Sequence, residues 1–241
     1  NGIINLDQVQ LILTELGKDE DQLFIRKAQV EFKIELEKLK SHGNNKRKRD
    51  QEYGSMVLSQ EHDEMTKYCS QWKQRYYQEK FNSNEQVKEQ VVREYIKGLC
   101  WVMRYIYHGC HDWKWFYPYH YAPLASDCIN INKFKVEFDI NSQPMKPLEQ
   151  LMCVLPPDSS ENLPTTWRTL MTDPSSPIID FYPSDFKIDM NGKKVSWQGV
   201  VLLPFIHENR LFNALETVYH DLSQDESDRN EWGENMFVSR K

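Results

Sequence analysis

The chain has few glycines, no apolar run of membrane length and no paired cysteine motif, and each shortage removes a class of function. Its nine glycines are scattered over 241 residues and never cluster, so there is no glycine-rich loop to cradle a phosphate. No G-x-S-x-G occurs, and no Cys or Ser sits beside a His in a setting that would activate a nucleophile. The five cysteines, Cys69, Cys100, Cys110, Cys128 and Cys153, are an odd number with no framework spacing. They read as reduced thiols of a nucleus or cytosol. No stretch approaches the length of a membrane span, and no signal peptide opens the chain. The opening "NGIINLDQVQ" lacks an initiator Met and begins in what reads as a structured segment, which points to a piece of a longer protein. A net charge of -6 argues against holding nucleic acid by bulk charge, though a local aromatic or basic groove remains open.

What the sequence does have is helical periodicity. Leu6, Val9, Ile12, Leu13 and Leu16 keep a helical spacing, with Asn5 as cap and Gly17 as the expected stop. The charged stretch Lys18–Lys40 carries a local strand signal in "VEFKIELEKL", but its Glu, Lys and Leu content favours helix. "SHGNNKRKRDQEYGS" has no apolar period and reads as a charged flexible linker over residues 41–58. Its Lys46, Arg47, Lys48 and Arg49 fit a nuclear import signal, a nucleic-acid contact or a solvated charge cluster.

Met65, Tyr68, Cys69, Trp72 and Tyr76 mark one face of a further helix. Another, capped by Ser83 to Gln86 and closed by Gly109, carries Val87, Val91, Tyr95, Leu99, Val102, Met103 and Ile106 as its apolar stripe. "FKVEFDI" (134–140) alternates and predicts a strand. Pro147 and Pro164 are expected to open short helices. Asn191-Gly192 predicts a hairpin between two strands, and "VVLLPF" (200–205) a buried strand. A last helix starts near Asn209, with Leu211, Ala214, Leu215 and Val218 inward. The sum is an α+β fold, mostly helical, with a small mixed or antiparallel sheet.

Candidate chemistry is thin. Cys100, His108, Cys110 and His111 lack zinc-site spacing and a second Cys pair, so they read as structural thiols and loop histidines. Asp180, Asp185 and Asp189 share no face and read as turn and cap residues. The exception is "WKWFYPYHY". Six of the nine residues from Trp113 to Tyr121 are Trp, Phe or Tyr. Most such rings should pack, Phe116 and Tyr121 among them. One or two presented on a groove would stack on nucleic-acid bases irrespective of sequence.

That stretch also carries a resemblance. "YIKGLCWVMRYIYHGCHDWKWFYPYHYAPLASD" (95–127) resembles the second conserved region of the XRN family of 5′→3′ exoribonucleases. So do "KPLEQLMCVLP", "LPTTWRTLM" and "SPIIDFYPSDFKIDMNGKKVSWQGVVLLPFIHENRL", and "WKQRYYQEKF" fits the approach to that region. "INLDQVQLILTELGKDEDQLF" looks like the end of the first conserved region. The resemblance implies three segments: residues 1–40 closing the first region, the linker 41–58, and the middle region 59–241. "GLCWV", "WQGV" and "MFVSRK" look more like nuclear members than large cytoplasmic ones. Cys128, Cys153 and "INKFKVEFDINSQP" depart locally from the family pattern.

The chemistry is implied by the family resemblance alone. The whole enzyme hydrolyses 5′-monophosphorylated single-stranded RNA with Mg2+ or Mn2+. Its metal-binding acids and 5′-phosphate pocket lie in the first conserved region, upstream of Asn1, so no catalytic residue and no metal ligand is assigned here. A Trp of the aromatic motif, Trp113 or Trp115, stacks on RNA, while Tyr117, Tyr119 and His120 wall the pocket. The implied partners are single-stranded RNA, the upstream catalytic region of the same protein and a nuclear protein cofactor, with no membrane. The rival reading is a non-catalytic RNA-binding or protein-docking module.

Overall fold

A computed structural model describes residues 3–42, 64–82, 86–233 and 238. The chain divides into two compact units, one of residues 1–111 and 115–138, the other of residues 112–114 and 139–241.

The first unit is built on a long helix, α1 (Leu6–His42). Asn5 caps it as its side chain predicts, with Oδ1 accepting from the N–H groups of Asp7 and Gln8 at 3.0 and 3.2 Å. Gly17 does not stop it. A Cβ at residue 17 would stand 2.8 Å from the Ser126 Cα, so glycine here serves a close approach between helix and loop. The charged continuation is helical, as its composition favours, and runs through His42. Lys46–Arg49 and residues 43–58 of the expected linker lie outside the described residues.

Polar side chains of α1 hold the loop that comes after the aromatic stretch. Glu20 accepts from the N–H groups of Ala125 and Ser126 at 3.1 and 3.0 Å, at the start of a 3₁₀ turn, Ala125–Asp127. Gln10 donates to the Cys128 carbonyl at 2.7 Å and accepts from the Ile131 N–H at 2.9 Å.

Helical residues 64–70 (α2) meet α3 (Trp72–Phe81) at a turn, where the apolar spacing predicts one helix. Cys69, Trp72 and Tyr77 are buried, and Phe24 of α1 stacks on Trp72 with ring centroids 4.4 Å apart. α4 (Gln86–His108) ends at Gly109, whose φ of 82° suits glycine; its expected cap at Ser83 lies outside the described residues. The α4 stripe packs through Leu99, but Val102 and Ile106 are 48% and 65% exposed, so periodicity overstates its buried length. The "FKVEFDI" segment is a further correction. Phe134, Val136 and Phe138 face inward and alternate with exposed Lys135 and Glu137, but the segment joins no ladder. The pattern records burial, and a strand needs a partner as well.

The second unit contains α5 (Pro147–Val154), α6 (Thr165–Thr172), β1 (Lys187–Asp189), β2 (Val200–Leu202), α7 (Glu208–Glu216) and α8 (Gln224–Arg229). Its core gathers Leu148, Met152, Trp167, Met171, Leu211 and Leu215, and short helices begin at Pro147 and just after Pro164, as expected. β1 and β2 pair antiparallel, with Lys187 opposite Leu202. Asn191 and Gly192 both take positive φ, as their turn signal predicts. The hairpin is wider than expected, however, because β1 pairs with the "VVL" strand and not with the residues just after the turn. β2 is only partly buried, with Val201 40% exposed. α8 lies beyond the last expected helix, and its Ser223–Glu226 capping box is written in the sequence as S-x-x-E.

Candidate nucleic-acid interface

The backbone of the aromatic stretch is shared between the units: 112–114 belong to one and 115–121 to the other. Each part is fixed by its own contacts.

In the second unit, two of the three buried polar side chains among the described residues, Asp112 and Ser142, flank Trp113. The Trp113 N–H donates to Ser142 Oγ at 2.8 Å, and that hydroxyl donates to the Asp139 carbonyl at 2.7 Å. Asp112 accepts from the Lys114 N–H at 3.0 Å and from the Asp139 N–H at 3.1 Å. Above this anchored backbone the Trp113 indole is 55% exposed.

In the first unit, Trp115 is tied down by its side chain. Its Nε1–H donates to Glu94 at 3.0 Å. Trp101 lies 6.1 Å away and Phe138 6.5 Å, ring to ring, and the Lys97 ammonium sits 6.0 Å from the ring centre. The two indoles therefore diverge in environment, one presented and one packed.

The tyrosines are largely structural. Tyr117 donates to the Tyr121 carbonyl at 2.7 Å and packs edge-on against Tyr95 and Tyr119. Burial, aided by neighbouring tyrosines, raises its pKa well above the phenol range. Burial pushes Tyr119 up too, with Glu94 adding to it. Tyr121 is buried as expected, beneath the Lys80 ammonium at 4.8 Å, and Phe81 packs edge-on against Tyr119 and Tyr121. Phe116 is a correction, with its ring 50% exposed. His120 is half-buried.

Two helix residues that sequence reasoning did not assign to the site support the segment. Tyr76 donates to the Ala122 carbonyl at 2.8 Å, and burial with nearby Glu20 pushes its pKa up to about 12. Tyr77 donates to Asp127 at 2.9 Å and accepts from the Leu124 N–H at 3.3 Å. Their only signal in the sequence is the aromatic face of α3.

The other candidate sites do not assemble. Among the described residues no group of three or more His, Cys, Asp or Glu could hold a metal ion. His111 bonds the Gly109 carbonyl through Nδ1 at 2.9 Å. Asp180 forms a two-pronged pair with Arg210 at 2.7 and 2.9 Å, which holds its carboxyl below the usual range. Asp189 accepts from the Asn191 N–H at 2.9 Å, a turn contact. No helix among the described residues is long and apolar enough to cross a membrane.

Comparison with known proteins agrees with the largely helical fold. A family model described as the Xrn1 helical domain matches residues 31–241. A 5'-3' exoribonuclease 2 homolog of Drosophila melanogaster is 39% identical over 289 aligned residues, covering 100% of this chain and 32% of the relative. The 5'-3' exoribonuclease 2 of Gallus gallus is 54% identical over 74% of this chain and 19% of its own length. That of Schizosaccharomyces pombe is 50% identical over 73% and 18%. The chain thus spans at most 32% of the length of these relatives. With a family match over most of its length and this identity to each relative, the chain belongs to the Xrn1 helical-domain family.

Proposed function

We propose that this chain is the helical middle region of a nuclear 5′→3′ exoribonuclease that removes nucleotides one at a time from 5′-monophosphorylated single-stranded RNA, and that Trp113 is its base-stacking ring. What supports the assignment of the ring is the contrast between two indoles two residues apart. Trp113 is 55% exposed, whereas Trp115 commits its N–H to Glu94 and its faces to neighbouring side chains. Stacking suits an exonuclease because every base offers a π-face, at about 1–3 kcal/mol per base.

Trp115 keeps a structural role in this reading. Tyr117, Tyr119 and His120 wall the pocket, an assignment that rests on the family resemblance. The same resemblance implies divalent metal for the whole enzyme. No fitting ligand group is found among the described residues, so no step is assigned to a carboxylate of this chain. Its part is to hold RNA and to admit single strands.

Lys46–Arg49 would serve as the import signal, bringing the enzyme to RNA and to a protein cofactor in the nucleus. A fluorescent fusion that stays nuclear after all four are replaced by Ala would remove that role.

The test of the ring is a pair of substitutions in the full-length enzyme. Trp113→Ala should leave the melting temperature nearly unchanged and weaken RNA binding by about 1–3 kcal/mol. Trp115→Ala should cost about 3–5 kcal/mol of stability. If Trp113→Ala binds and degrades RNA like the parent, the stacking assignment is wrong.

A further inference from the structure

We infer that Ser142 and Asp112 are positioning residues that hold Trp113 for RNA, an inference that rests on Trp113 being the stacking ring. The observation is a mismatch between an exposed ring and the anchoring beneath it. Burying a hydroxyl or a carboxylate is costly unless its bonds are met. Even so, Asp112 and Ser142 are only 5% and 6% exposed, and their described bonds run to the backbone of two short segments, 112–114 and 139–142. Ser142 Oγ accepts from the Trp113 N–H and donates to the Asp139 carbonyl. Asp112 accepts from the N–H groups of Lys114 and Asp139, one on each side. Backbone bonds thus fix the residues on either side of Trp113 as well as Trp113 itself.

An indole that only covered surface would gain nothing from this, because an exposed contact tolerates backbone play. A ring that must meet a base face gains directly, because fixing it beforehand lowers the ordering cost of binding. Removing one bond of the clamp should therefore loosen the ring without removing it.

The experiment is a double-mutant cycle in the full-length enzyme, with Trp113→Ala, Ser142→Ala and their combination. Each is assayed for melting temperature, for affinity towards 5′-phosphorylated RNA, and for fluorescence quenching of 2-aminopurine placed near the RNA 5′ end. Ser142→Ala should weaken RNA binding roughly three- to ten-fold, the worth of one net hydrogen bond, and reduce the quenching. On the Trp113→Ala background the same change should leave affinity and quenching where Trp113→Ala alone puts them, while still lowering the melting temperature. A merely structural serine would give additive losses instead.

Asp112→Asn supplies a second arm should Ser142→Ala fold poorly. It keeps an acceptor for Lys114, loses the one for Asp139, and should behave the same way in the cycle. Two outcomes overturn the inference and are distinguishable. If Trp113→Ala itself changes neither affinity nor quenching, the stacking assignment has failed and the clamp with it. If Trp113→Ala weakens binding but the clamp variants match the parent, or add to Trp113→Ala, the ring stands and the clamp does not.

Discussion

Gly98 lies against the Trp115 indole, close enough that a Cβ at residue 98 would stand 2.9 Å from Cη2 of that ring. The ring is not free to swing aside, because its N–H is bonded to Glu94 one turn earlier on α4. Ala in mid-helix would gain about 1 kcal/mol over Gly, whereas overpacking costs about 1–3 kcal/mol. Gly98→Ala should therefore lower stability. With Trp115→Phe, whose ring is shorter, the same change should become stabilising. Denaturant melts of the four proteins in this cycle test the sign reversal.

Gly17 predicts a similar penalty for a different reason. There the added Cβ would meet Ser126 backbone, its Cα at 2.8 Å and its N at 3.0 Å. Backbone yields less readily than a side chain, and Glu20 fixes that turn from the same helix. Gly17→Ala should cost about 1–3 kcal/mol despite its better helix propensity. Glu20→Ala should cost about as much through lost bonds at Ala125 and Ser126. The two losses should combine to less than their sum, because both act on one turn. An increase in melting temperature for Gly17→Ala would contradict the close contact.

Cys128 makes stability depend on alkaline pH. Burial, reinforced by Asp127 and Glu20, raises its thiol from 9.0 to about 12. The unfolded chain then releases this proton first, so the contribution is complete below about pH 9 and is lost as pH rises towards 12. Cys128→Ser cannot ionise there. The urea midpoint of the parent should fall more between about pH 8 and about pH 10.5, which brackets the thiol's unfolded range, than that of the variant. Parallel curves would refute the burial argument.

The carboxylates of the hairpin region carry no catalysis in this reading. Asp180→Asn, Asp185→Asn and Asp189→Asn should each leave RNA turnover by the full-length enzyme unchanged. The chain alone should release no mononucleotides from 5′-phosphorylated RNA with Mg2+ or Mn2+. Metal-dependent release would bring these three residues back into question.

Much of this was legible in the sequence because local chemistry wrote it there. Asn5, Pro147, Pro164 and Gly109 mark ends that caps and φ preferences enforce. The aromatic stretch stood out by composition alone. Which indole is presented was not legible, since that depends on Glu94 and Ser142, 21 and 29 residues away. The failures share this cause. Gly17 looks like a stop until Ser126, remote in sequence, arrives beside it. Phe134, Val136 and Phe138 alternate as a strand would, and only a missing partner makes them an extended segment. Val102 and Ile106 continue the α4 period beyond the point where it packs.

The division of the chain has a consequence for how it can be made and cut. Residues 112–114 belong with 139–241, while 115–138 belong with 1–111. No single cut separates the units, because a cleavage after 111 or after 138 strands a piece of one with the other. During synthesis Trp113 leaves the ribosome before Asp139 and Ser142, so its backbone stays unclamped until the later segment has emerged. A fragment ending near residue 138 would carry the whole aromatic motif and still lack Asp139 and Ser142, which bond the Asp112 side chain and the Trp113 N–H.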